Sequence, residues 1–120
     1  MNLNIIGDKL QMEWELFEQF FAFQFKRNFL IPLEHIELAT IEEPQSSWSE
    51  IRAPGTFIPG LIKAGTYYTS RGKEFWYVTK QQDYLTLELK NEDYNKIILT
   101  IDQSEAWVER INQSKSARSS

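Results

Sequence analysis

One basic stretch in an acidic chain carries the residue types from which an anion site could be built. Between Ile51 and Lys80, Arg52, Lys63, Arg71, Lys73 and Lys80 stand against Glu74 alone. That segment nets +4, while the 50 residues before it net −6 and the 40 after it net −2. It also holds Gly55, Gly60, Gly65 and Gly72, four of the five glycines, with Pro54 and Pro59 between them. Cations beside a glycine-rich loop can hold an anion together with the loop's backbone N–H groups. The candidate binding residues are Arg52, Lys63, Arg71 and Lys73 for an anion, and Pro54, Gly55, Phe57 and Pro59 of the PGTFIPG loop for a protein partner.

Catalytic chemistry finds less to use. His35 is the only histidine and there is no cysteine, so a chelating metal site lacks ligands, and thiolate and disulfide chemistry are absent. As a general base His35 needs a nucleophile or an orienting acid, and none can be identified in the sequence. It reads as a turn residue. Glu42 and Glu43 are adjacent and would point to opposite faces of a strand, which makes no carboxylate dyad. Ser46, Ser47 and Ser49 have no base beside them, and Gly55-Thr56 and Gly65-Thr66 lack the spacing and GK[ST] ending of a phosphate loop. The sequence reads as a non-enzyme with no cofactor and no metal.

The elements that must position these residues are mostly strands. Lys9 to Trp14 alternates, with Leu10, Met12 and Trp14 on one side, and Gly7-Asp8 before it is a turn signal that lets Leu3–Ile6 pair as a lead-in strand. Residues 15–25 mix periods: Leu16, Phe17, Phe20 and Phe21 suggest helical turns that hand over to a strand near Ala22. A strand through Phe29–Ile31 reaches Pro32, an edge or corner residue, and PLEH turns the chain into a strand at about 36–41. Residues 42–50 form a polar loop in which Trp48 either plugs the core or stands exposed. Pro54-Gly55 and Pro59-Gly60 predict a tightly wound loop over 52–63. Strands follow at 64–70 and 74–79 about an Arg71-Gly72 turn, then at 84–90, with Leu85, Leu87 and Leu89 inward, and at 96–101.

The chain then changes period. Asp102-Gln103-Ser104-Glu105 has the form of a capping box, and Trp107, Val108 and Ile111 make an apolar stripe, predicting a helix over roughly 103–113. A polar tail, 114–120, has nothing to bury. The expected fold class is mainly β with one C-terminal helix: seven strand candidates in an antiparallel barrel closed by an amphipathic α-helix, with 1–113 a single domain. Trp107 is expected to pack over the core.

The phrases IPLEHI (31–36), IRAPGTFIPGLIKAGTYY (51–68), GKEFWYV (72–78) and LTLELKNEDYNKIILTI (85–101) resemble the pleckstrin-homology-like (PH-like) domains of uncharacterised bacterial proteins. The resemblance covers nearly the whole chain, and PGT…PG…GTY…FW is its most specific part. It implies the seven-stranded barrel with a capping helix and no catalytic residues. Some bacterial relatives assemble into rings. Eukaryotic relatives hold phosphoinositides through Lys and Arg around the loop after the first strand, where this chain reads EWELFEQFF.

Composition narrows the partners. A net charge of −4 repels nucleic acid. No secretory leader and no apolar run of about 18–20 residues is present, so the expectation is a soluble, cytoplasmic domain. Two functions remain. One is a binding or assembly module that contacts another protein or itself as a homo-oligomer. The other is weak binding to an anionic ligand or membrane surface through the basic segment 51–80.

Overall fold

Alternation in the sequence becomes alternation in burial. Leu10 and Met12 are fully buried in β2 (Lys9–Glu13), as is Trp14 just beyond it, while Lys9 faces solvent. The computed structural model describes residues 2–15, 28–42, 51–58, 62–70, 72–80 and 83–119. The helical turns expected after Glu15, the loop carrying Trp48, the Pro59-Gly60 dipeptide and Arg71 lie outside the described residues.

β1 (Asn2–Ile6) pairs with β2 through a two-residue loop, Gly7-Asp8. Gly7 has φ 60°, which suits a glycine-first hairpin loop whose twist matches that of its strands. β3 (Asn28–Pro32) pairs with β2 and completes a three-stranded antiparallel sheet, β1-β2-β3. Pro32, which has no N–H to donate, ends β3, and a 3-10 turn (Leu33–His35) carries the chain to the second sheet.

That sheet has six strands: β4 (Ile36–Thr40), β5 (Ile51–Ile58), β6 (Ile62–Thr69), β7 (Gly72–Thr79), β8 (Tyr84–Leu89) and β9 (Lys96–Thr100), ordered β4-β8-β9-β7-β6-β5. Its pairs are antiparallel except β7 and β9, which run parallel. The fold is mainly β with one C-terminal helix, as the sequence implies. The seven-stranded antiparallel barrel is not what forms: the described residues make nine strands in two sheets, and no barrel closes among them. Turn residues record that a chain reverses, not which strand it pairs with next. β8 follows β7 in sequence but leaves the place beside β7 to β9 and pairs on β9's far side.

Two further expectations change. The loop predicted over 52–63 is largely strand, with β5 reaching Ile58 and β6 starting at Ile62. Pro54 is tolerated there because β5 is an edge and its register slips between Arg52 and Gly55, a bulge that takes the proline out of the ladder. The helix α1 (Ser104–Ser119) runs through the expected polar tail. Its inner stripe does not stop at Ile111: Ser104, Trp107, Val108, Ile111 and Lys115 share one face, and the Lys115 ammonium donates to the Ile36 carbonyl. The cap also falls one residue later than the capping box suggests. Gln103, at φ 60°, offers the carbonyl that accepts the first helical bond, from the Trp107 N–H at 3.1 Å.

One apolar core joins both sheets and the helix, drawing Leu10, Met12 and Phe29 from the first, Phe75, Leu87 and Leu99 from the second, and Ile111 from α1. Trp14 is its largest fully buried side chain. Trp107 only leans against this core, half-buried, with the Arg110 guanidinium 4.3 Å from its ring centre. Truncating the two tryptophans should therefore differ. Trp14→Ala is expected to cost about 3–5 kcal/mol and Trp107→Ala distinctly less. Urea unfolding of both variants checks this, and equal losses would place Trp107 in the core after all.

Candidate functional site

β3 is an edge strand: among the described residues it pairs with β2 alone. Its alternation sends Phe29 and Ile31 into the core and leaves Leu30 53% exposed. Facing it is the turn between β8 and β9, which backbone bonds fix in place. Asn91 bends that turn at φ 57°, a left-handed conformation that asparagine tolerates better than most residues. The Leu89 N–H donates to the Asn95 carbonyl (2.9 Å), and the Asn95 N–H donates to the Lys73 carbonyl (2.8 Å), tying the turn to β7. The Lys90 N–H donates to the His35 carbonyl (2.9 Å), and the Glu92 carboxylate meets His35 Nδ1, tying it to the 3-10 turn. His35 thus has an acid partner, 57 residues away along the chain.

Between β3 and this turn lies a cleft of about 270 Å³. Asn28, Phe29, Leu30 and Ile31 line one side. Leu89, Ile97 and Tyr94 supply further apolar lining, and Lys73, Glu92 and Asp93 supply charge. Tyr94 is held by ring contacts to Phe75 (5.5 Å) and Phe29 (6.0 Å) and by its hydroxyl, 3.0 Å from Thr66 Oγ1. The Lys73 ammonium donates to Asp93 Oδ2 (2.7 Å) and sits 4.8 Å from the Tyr94 ring centre. The bond to Asp93 raises the Lys73 pKa above its ordinary value, against the opposing effect of partial burial. A second cleft, about 620 Å³, lies by the same 3-10 turn and is lined mainly by charge: Asp8, Glu34, Glu37, Lys90 and Lys115.

The basic segment does not gather into one patch. Lys63 pairs in register with Val78 and Lys73 with Tyr68, so the two lysines lie five residues apart along the β6–β7 hairpin, about 17 Å. Strand parity also puts them on opposite faces. Lys63 is buried, its Nζ 3.6 Å from the Trp76 ring centre and 4.4 Å from that of Tyr67. On the same face the Trp76 indole N–H donates to Glu74 Oε1 (3.1 Å), and Glu74 is buried too. One indole therefore stands between a cation on its ring and a carboxylate on its N–H, which stabilises both charges out of water.

Of the other sequence candidates, Arg52, Pro54, Gly55 and Phe57 fall on β5. Arg52 pairs in register with Tyr67, Gly55 with Gly65 and Phe57 with Lys63. Pro59 and Arg71 lie outside the described residues. Lys73 alone belongs to the cleft. Sequence reasoning placed a strand at Phe29–Ile31 and took Pro32 as an edge or corner residue, but it did not single out β3, Tyr94 or the His35–Glu92 contact as a site. Among the described residues no three His, Cys, Asp or Glu side chains are placed to hold a metal ion, and no helix is long and apolar enough to cross a membrane. Compared with known proteins, the chain matches no family model, no curated protein and no solved structure.

The raised Lys73 pKa fixes the sign of a pH effect. A lysine whose folded pKa lies above its unfolded value stabilises the fold fully below the unfolded value of 10.5, and that stabilisation disappears as pH rises through the folded value. With Asp93 largely in solvent, the pair is worth up to about 1 kcal/mol. Asp93→Asn should lower stability by no more than this near neutral pH, and the deficit should close above the lysine value. Chemical unfolding across that range checks it. A deficit unchanged at high pH would mean that Asp93 acts through something other than Lys73.

Proposed function

We propose that this chain is a non-enzymatic binding module that works through protein–protein contact, with another protein or with copies of itself. The observation that carries this reading is the edge of β3, open among the described residues, along an apolar cleft rimmed by charge. Small-molecule and cofactor pockets run to about 300–1,000 Å³. A cleft of about 270 Å³ with one strand edge for a wall suits a few side chains of another polypeptide better. The PH-like relationship remains part of this proposal. A mainly β body followed by one helix fits it, while nine strands and a parallel β7–β9 pair depart from it.

A second reading is weak attachment to an anionic ligand or membrane surface through residues 51–80. Two of its four main bases count against it, since Lys63 and Lys73 lie on opposite faces and each is engaged within the fold. Light scattering and co-sedimentation with anionic vesicles, at low and physiological salt, separate the readings. The proposal expects a defined oligomer, or a complex with another protein, and no vesicle binding. A monomer that sediments with vesicles at low salt, and loses this on Arg71→Glu with Lys73→Glu, would overturn it.

A further inference from the structure

We propose that the cleft takes an extended peptide segment with apolar residues at alternate positions and a lysine or arginine between them, added as a strand to β3. This rests on the protein-contact reading and names the partner's chemistry. Four consecutive β3 residues, Asn28 to Ile31, line the cleft, so what is offered there is a length of strand edge. The backbone groups of such an edge that point away from β2, its one neighbour among the described residues, are an open template for another strand. Edge strands are usually protected by an outward lysine, a bulge or a proline. Here the outward residue at the centre is Leu30, 53% exposed, and Pro32 blocks one end only. A strand added beside Asn28–Ile31 would place alternate side chains over the apolar lining at Leu89, Ile97 and Tyr94.

Charge selects the partner. The wall opposite β3 carries Glu92 and Asp93 against Lys73, and the Asp93 side chain is 78% exposed with Lys73 on its Oδ2. A carboxylate has room for further donors beyond one bond to Lys73. The whole chain is at −4, so a basic segment is attracted at long range as well as at the rim. A second copy of this chain would instead bring its own acidic rim to the contact, and like charges facing each other oppose that pairing.

The test is selection of a random heptapeptide library against the whole chain, with the enriched peptides resynthesised and their binding measured by fluorescence anisotropy. Enriched sequences should alternate apolar residues and contain a lysine or arginine. Asp93→Arg should weaken the best peptide at least about tenfold, and exchanging the peptide's base for glutamate should recover part of the loss. Methylating the peptide amides that face β3 should abolish binding, because strand addition needs those donors. Leu30 and Asp93 are exposed, so Leu30→Asp and Asp93→Arg test the surface without touching the core, and circular dichroism confirms their fold. No enrichment, helical-period or acidic sequences, or binding indifferent to Asp93→Arg and to amide methylation would overturn the proposal. An oligomer that persists in Leu30→Asp while no peptide is enriched would remove this inference and leave the protein-contact reading intact.

Discussion

Two separate sheets become one fold because they share a set of aromatic rings. Trp14 leaves the end of β2 and enters the space under β7, with its ring centre 5.3 Å from Phe75 and 5.6 Å from Tyr77. Phe29 of β3 adds an edge-to-face contact to Trp14 at 5.6 Å and another to Phe75 at 5.1 Å. Three strands of five residues are at the lower limit for a sheet to stand alone, so the contact with the larger sheet adds to the stability of the smaller one. The indole N–H of Trp14 is buried with no hydrogen-bond partner among the described residues, which opposes burial by roughly 1–3 kcal/mol. Packing of the rings outweighs that loss. Tyr94 continues the same set outward, and the cleft beside β3 follows from where these rings leave off.

The outer face of the larger sheet answers a different problem. Lys63 and Glu74 are both buried there. Trp76 stands between them, its ring under the ammonium and its N–H on the carboxylate. Tyr67 packs edge-on to the same indole at 6.1 Å and Ile98 fills the space beside it. A segment that is basic by composition can thus be internally compensated in space. That is why its net charge of +4 is a poor guide to a binding surface.

Legibility in the sequence followed the range of the interaction. Leu85, Leu87 and Leu89 were readable as buried because period-2 alternation is local, and all three are. The apolar stripe of α1 was readable for the same reason, up to the point where its inner face becomes a lysine that binds a carbonyl. Gly65 is held at a φ of 134°, where an L side chain is strained. Sheet order was not readable, because the choice between β8 and β9 as the neighbour of β7 is made by burial across the sheet. Nor was the site. His35 and Glu92, or Phe29 and Tyr94, meet only after two sheets have docked. Pro54-Gly55 misled because a bulge on an edge strand uses the same residues as a loop.

Whether one shared aromatic core holds the two sheets together, and so shapes the cleft, is most directly tested by a double-mutant cycle between Phe29 on the smaller sheet and Phe75 on the larger. Phe29→Leu, Phe75→Leu and the double variant would be compared by urea unfolding. The account predicts a coupling of about 0.5–1.5 kcal/mol between the two changes, the range for an edge-to-face aromatic pair. Losses that add to within about 0.3 kcal/mol would mean that the rings do not meet and that the sheets are held by something else.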